Sequence, residues 1–370
     1  MSTAGLASVA AVGVACGPQQ VPVFKAPEAS TPGKAQWETE WDALVTAAKR
    51  EGTLVVHTPP SAGWRQVFDK FQDAFPGITV EHTSMSAGNW TPKILQERQA
   101  GVYAWDVSHA TAGSGQTLLK ENLWDPLRPQ LFRPDILNDQ AWISGQEFGY
   151  RDTERKYTFM FGWNIITTTF INTDLASDVR TARDILNPKW KGKIVIFDPR
   201  LGAGAGLSAV SRVRLALGGD ALKQLLIDQE PTFSRDMRQM NEFLIRGQYA
   251  IEMGTNPFSF AEFEKQGLMG KVKAVVSEGN AQLFGDAIWL VNRTPHPNVA
   301  KLYANWVLTK EGQQHYAQNV KINSRRTDVE KGEPSMVPPA GAEKTYSTED
   351  TPEWLAELEK TKSMIETLLR

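Results

Sequence analysis

The residues best suited to hold a small molecule are a glycine run and the arginine just ahead of it. Arg200-Leu201-Gly202-Ala203-Gly204-Ala205-Gly206 follows the β-rich stretch Ile194–Phe197 and leads into a predicted helix from Leu207. Glycine lets backbone amides approach a ligand closely, and a helix N-terminus favours negative charge. The pattern suits an oxyanion such as a phosphonate, phosphate ester, sulfonate or carboxylate. It suits a plain flexible turn equally well, and a glycine run alone does not separate the two. His57, His82 and His109 stand at predicted strand ends, but they are dispersed and lack the short spacing of a zinc motif. Each is read as a satisfied or solvent-facing imidazole. No HExxH, GxSxG or GxxxxGK[ST] motif occurs, and the acids offer no pair that spacing places in one site. No catalytic residue, cofactor or metal is expected, and the chain is not read as an enzyme.

The lone cysteine carries a different chemistry. Cys16 closes the small, apolar stretch Ala4–Ala15, and Val14-Ala15-Cys16-Gly17 resembles the cleavage site of a bacterial lipoprotein signal. Gly13 stands where leucine is usual, and no Lys or Arg precedes Lys25. Residues 1–15 are therefore read as a signal peptide and Cys16 as the lipidated residue, with residues 16–36 as a flexible tether. About 20 such residues reach about 25 Å. A chain otherwise free of thiols suits an oxidising, extracytoplasmic compartment.

The elements behind these residues alternate. Trp37–Arg50 has helical spacing and ends at Gly52; Thr53–Thr58 is a short strand; Val67, Phe68, Phe71 and Phe75 mark one helix face; Ile78–His82 is a second strand. Strand, helix, strand is a βαβ unit. Further strands are predicted at Trp105–His109, Ile194–Phe197, Tyr249–Met253 and Val272–Val276, and helices at Thr91–Ala100, Met237–Arg246, Val299–Tyr316 and Glu353–Leu369. With 370 residues the chain is long enough for two α/β domains. A net charge of -2 gives no reason to expect nucleic acid, and no internal apolar run is long enough to span a bilayer.

The order of segments resembles the solute-binding proteins of bacterial ABC importers, in the group that contains the ferric-ion-binding proteins. Carrying the resemblance are Gly52-Thr53-Leu54-Val55-Val56, Phe75-Pro76-Gly77-Ile78-Thr79-Val80 and Trp105-Asp106-Val107. Pro188-Lys189-Trp190-Lys191-Gly192-Lys193 and Thr309-Lys310-Glu311-Gly312-Gln313 follow in order. It implies an α/β, two-lobed periplasmic-binding fold of type II, each lobe a mostly parallel sheet flanked by helices. Residues 37–165 with 286–335 form the first lobe, 166–285 the second, and 336–370 a C-terminal helical segment assigned to neither. Tyr157–Asn172 and Gly285–Val291 are the candidate crossing strands. The resemblance further implies a monomer that traps a small solute between its lobes and presents it to permease subunits, held to the membrane by its lipid.

Loops beyond the carboxyl ends of the strands line such a cleft. The expected ligand contacts are Thr58, Ser61 and Trp64; Ser84, Ser86 and Trp90; His109 and Thr111; Arg200, Gly204 and Gly206; and Gly254, Thr255, Asn256 and Phe258. Gly254-Thr255-Asn256 falls where the family contacts ligand, while Trp64, Trp90 and Phe258 could stack on a ring or simply pack. The iron-holding tyrosine pair of the resembled group falls on Pro257-Phe258, its histidine near Ser61 and its glutamate near Thr111, so the iron ligands are absent. An oxyanion-bearing organic solute is expected rather than bare ferric ion. Iron in an organic complex stays open, as does an enzyme or ligand sensor built on the same fold.

Overall fold

A computed structural model describes residues 34–61, 63–201, 205–346 and 352–369. Cys16, the predicted signal segment, the tether up to residue 33 and Gly204 lie outside the described residues. Five strands come first: β1 (Thr53–Thr58), β2 (Thr79–Ser84), β3 (Val107–Ala110), β4 (Trp124–Asp125) and β5 (Thr158–Met160). Then follow β6 (Asn164–Thr167), β7 (Thr169–Asn172), β8 (Ile194–Phe197) and β9 (Thr232–Ser234). The last four are β10 (Ile251–Met253), β11 (Val272–Ala274), β12 (Ala281–Phe284) and β13 (Ala287–Val291).

These strands build an α/β architecture of two mixed sheets flanked by helices. The first runs β2-β1-β3-β13-β4 with β5 also on β13, and the second runs β11-β7-β10-β8-β9. Each is parallel where βαβ units build it, along β2-β1-β3 and along β10-β8-β9. Its remaining pairings are antiparallel. The first βαβ unit shows the logic. Gly52 takes a left-handed φ of 74° and ends the helix Gln36–Glu51 by donating to Ala48 O. The chain then extends as β1, and the helix Gly63–Ala74 buries Trp64, Val67, Phe68 and Phe71 on one face against it.

A two-stranded antiparallel ribbon, β6 with β12, joins the sheets, with Ile166 opposite Gln282. Tyr157–Asn172 is therefore three strands, one in each sheet and one between them. Gly285–Val291 departs from expectation: it contains β13, which pairs with β3, β4 and β5 in the first sheet. The return passage lies one strand earlier, in β12. Every residue of β13 is buried, and a short all-apolar run reads the same in a sheet interior as in a crossing. Val299–Tyr316 is likewise two helices, Pro297–Val307 and Lys310–Val320. Thr309 Oγ1 caps the second by accepting from Gly312 N at 3.1 Å. A Cβ at Gly312 would lie 2.3 Å from Trp306 O, so the elbow needs glycine.

The C-terminal helix Pro352–Leu368 packs on the helix Ala205–Leu217. Ile365 joins the second sheet's core with Val210 and Val213. Arg214 Nε donates to Thr361 Oγ1 at 3.0 Å, and Arg214 also pairs with Glu357.

Candidate ligand site

A cavity of about 530 Å³ opens between the two sheets. The β6–β12 ribbon supplies Ile166, Gln282 and Phe284, and Thr168 follows directly after β6. The first sheet contributes the turn after β3. There Thr111 directly follows the strand and caps the short helix Ala112–Gln116, its Oγ1 accepting from Ser114 N at 3.2 Å and pairing with Ser114 Oγ at 2.8 Å. Gly115 lets that turn lie against Trp289, whose ring a Cβ would meet at 2.1 Å. Thr111, Ser114 and Thr117 thus present hydroxyls along one wall.

The opposite wall comes from the second sheet. The helix Ala205–Leu217 begins at the cavity, with Ala205 and Ser208 on its lining. Two glycines seat this helix against the strand ends. A Cβ at Gly206 would lie 2.1 Å from Phe197 O, and one at Gly254 would lie 2.9 Å from Gly206 Cα. Ser208 Oγ accepts from Arg212 Nη2 at 2.6 Å. Asn256 Oδ1 accepts from Ser259 N at 3.1 Å and starts the turn Pro257–Phe260, which lifts Phe258 into the open, 56% exposed. Trp354, Leu355 and Leu358 of the C-terminal helix complete the enclosure.

Among the described lining residues none is ionisable. Hydroxyls, amides and a helix start are interleaved with aromatic and aliphatic side chains. Such a wall hydrogen-bonds oxygen-rich groups and desolvates an apolar body. It has no phenolate or carboxylate for a hard cation and no carboxylate for an ammonium group.

Of the residues singled out in the sequence, Thr111, Asn256 and Phe258 meet at this cavity. Others are taken up by the protein itself. Trp64 lies against His109, ring centroids 4.2 Å apart, and Trp90 is stacked between His57 at 4.4 Å and Trp124 at 5.9 Å. Both indoles are buried, filling the volume at the ends of β1 and β3. Ser61 Oγ accepts from Gly63 N, 3.3 Å away, and Gly63 abuts Asn319 of the helix Lys310–Val320. Thr58 Oγ1 donates to Pro59 O and lies 2.8 Å from His82 Nε2. Thr255 donates to buried Glu252 at 2.6 Å. Ser84 and Ser86 are exposed, at the end of β2 and just before the helix Ala87–Gln99. Arg200 turns onto its neighbour Asp198 in a bidentate pair of 2.7 and 3.0 Å, which holds the guanidinium above its ordinary pKa. Gly206 and Gly254 serve the close packing described above.

The three histidines are likewise taken up by the protein, His57 and His109 buried and His82 partly buried. His57 bonds Ser108 Oγ and Met85 O, and His109 Nε2 lies 2.8 Å from Tyr303 Oη. Burial pushes His57 down to about 4 and His109 well below its ordinary value. No group of three or more His, Cys, Asp or Glu that could hold a metal occurs among the described residues.

Sequence reasoning missed Ser114, Thr117, Thr168, Ser208, Gln282 and the C-terminal helix. Ser114 sat inside a loop already expected to face the cleft. For Thr168 and Gln282 no signal existed, because both lie in near-continuously buried stretches.

A family model described as bacterial extracellular solute-binding protein matches residues 66–335. The chain belongs to that family. Its members bind solutes and are not enzymes. No curated protein sequence matches this solute-binding protein. Among solved structures, iron-bound HitA from Pseudomonas aeruginosa is 16% identical with a TM-score of 0.62, over 85% of this chain and 99% of that one. The spermidine/putrescine ABC transporter substrate-binding protein PotD from Streptococcus pneumoniae is 15% identical with a TM-score of 0.61, over 86% and 99%. AfuA from Actinobacillus pleuropneumoniae, with fructose-6-phosphate bound, is 17% identical with a TM-score of 0.55, over 86% and 98%. At these identities the likeness is one of fold, and each ligand remains that of its own protein.

Proposed function

We propose that this solute-binding protein captures a small organic solute with an oxyanion or other oxygen-rich head and an apolar body, and delivers it to the permease of an ABC importer. The observation that carries this reading is the chemistry of the lining: the hydroxyls of Thr111, Ser114, Thr117, Thr168 and Ser208 and a helix start, interleaved with Phe258, Phe284 and Trp354, and no ionisable side chain among the described lining residues. The helix start favours a negative head. Hydroxyls and amides alone also accept a neutral one. Iron could enter only inside an organic complex that supplies its own ligands. The loops that bring Thr111 and Asn256 to one cavity come from opposite sheets, so a ligand touching both stabilises a closed form. In this reading Cys16 is lipidated, and the monomer works outside the cytoplasm on its tether.

The test is thermal unfolding of the chain from Gly17 onward against a ligand panel. The panel holds phosphonates, sugar phosphates, sulfonates, carboxylates, neutral sugars, ferric citrate, free ferric ion and spermidine. A ligand at 100 times its Kd adds about 2.7 kcal/mol. A shift with an organic oxyanion or neutral polyol is the expected result. A shift confined to free ferric ion or spermidine would sink the reading.

A further inference from the structure

We propose that the C-terminal helix Pro352–Leu368 is a built-in wall of the ligand cavity and that Trp354 is its specificity-determining residue. The inference rests on the cavity being the ligand site. The helix lies beyond residues 66–335, the part matched by the family model. It nevertheless contributes Trp354, Leu355 and Leu358 to the cavity lining.

One stripe of this helix does two jobs. Residues 354, 358, 361 and 365 recur at the spacing of a single helical face. Thr361 and Ile365 are buried against the second sheet's helix and core. Trp354 and Leu358 carry the same stripe on to the cavity. The two helices run in the same direction, since Trp354 meets Arg212 while Thr361 meets Arg214.

The position of Trp354 is fixed. Only 3% of it is exposed, and the Arg212 guanidinium lies 4.6 Å from its ring centroid. The same guanidinium donates to Ser208 Oγ. Arg212 thereby ties the hydroxyl and the indole into one unit, setting the polar and aromatic parts of the wall at a fixed spacing. A rigid indole edge beside a hydroxyl selects for an apolar or aromatic body attached close to the polar head. A compact inorganic anion would leave that surface uncovered.

The probe is 8-anilinonaphthalene-1-sulfonate, an aromatic sulfonate, titrated by fluorescence into the intact chain and its variants. The wild type should bind one dye saturably. Trp354→Ala should weaken binding at least tenfold, and Leu358→Trp should do the same by filling the cavity. Leu215→Ser, on an exposed position that does not line the cavity, should leave it unchanged. Equal affinity in wild type and both wall variants overturns the inference. A loss in Trp354→Ala with none in Leu358→Trp assigns the effect to undocking of the helix and overturns it too. Absence of any saturable dye binding to the wild type instead sinks the underlying reading of the cavity.

Discussion

Arg214 of the helix Ala205–Leu217 and Glu357 of the C-terminal helix form an ion pair whose side chains are only 9% and 10% exposed. Thr361 bonds both partners, accepting from Arg214 Nε at 3.0 Å and donating to Glu357 Oε1 at 3.2 Å. A buried pair of this kind adds little over an apolar pair of the same size, yet it is costly to break by halves. It therefore fixes where the helix sits more than how stable the protein is, and the helix carries Trp354 to the cavity.

Removing one partner should accordingly do more harm than removing both. Glu357→Ala is expected to destabilise by about 3–5 kcal/mol, because the Arg214 guanidinium is left buried and unpaired. The double variant Arg214→Met, Glu357→Leu is expected within about 1 kcal/mol of wild type if the apolar pair packs well. Urea unfolding midpoints decide the matter. A wild-type midpoint for Glu357→Ala would mean that the pair does not clamp the helix.

Gly254 should tolerate no side chain. Its φ is +87°, and a Cβ would meet Gly206 Cα and Phe197 Cβ, each at 2.9 Å. Gly254→Ala combines backbone strain with a backbone clash and is expected to cost about 2–4 kcal/mol. Gly267, with φ +70° but nothing within 4 Å of a Cβ, isolates the strain, and Gly267→Ala should cost about 1 kcal/mol. Melting temperatures of the two variants make the comparison. Equal losses would show that contact with Gly206 does not matter.

The contrast between these glycines also marks how far the sequence could be read. β1, β2 and the helix after β1 were legible because apolar periodicity and the punctuation at Gly52 and Pro76-Gly77 agreed. The family-wide segment order made an α/β fold with two sheets legible as well. The candidate site was legible only where a loop alone reaches the cavity, as at Thr111, Asn256 and Phe258. Trp64, Trp90 and Arg200 are of the right types in the right loops, but rings and charges find partners inside the protein first: His109, His57 and Asp198. Gly206 belongs to a run that suits close approach to a ligand and Gly254 falls where the family contacts one, yet the close approach in the structure is between the two glycines. Trp354 was out of reach because nothing in an amphipathic terminal helix says which part of the fold it will cover.

Glu252 gives the pH dependence. The residue lies in β10, paired with Phe170 of β7 and Val195 of β8, and is fully buried; Oε1 accepts from Thr255, and Oε2 has no hydrogen-bond partner among the described residues. Burial pushes it from 4.5 up to about 8, against the opposing pull of the Thr255 hydroxyl. A raised carboxyl means that the folded state holds the proton more tightly. Its contribution to stability is then fully present below pH 4.5 and is lost as pH rises from there to about 8. His57 works in the other direction. Burial lowers it from 6.5 to about 4, so its contribution is present above pH 6.5 and is lost as pH falls towards 4. Glu252→Gln removes the first dependence and leaves the second. Wild type and variant should be similar near pH 4.5 and diverge with rising pH. By pH 8 the variant should be more stable by a few kcal/mol. Urea unfolding at intervals across that range measures the gap. Parallel curves would mean that Glu252 ionises in the folded protein as it does in the unfolded chain, and that its burial carries no penalty.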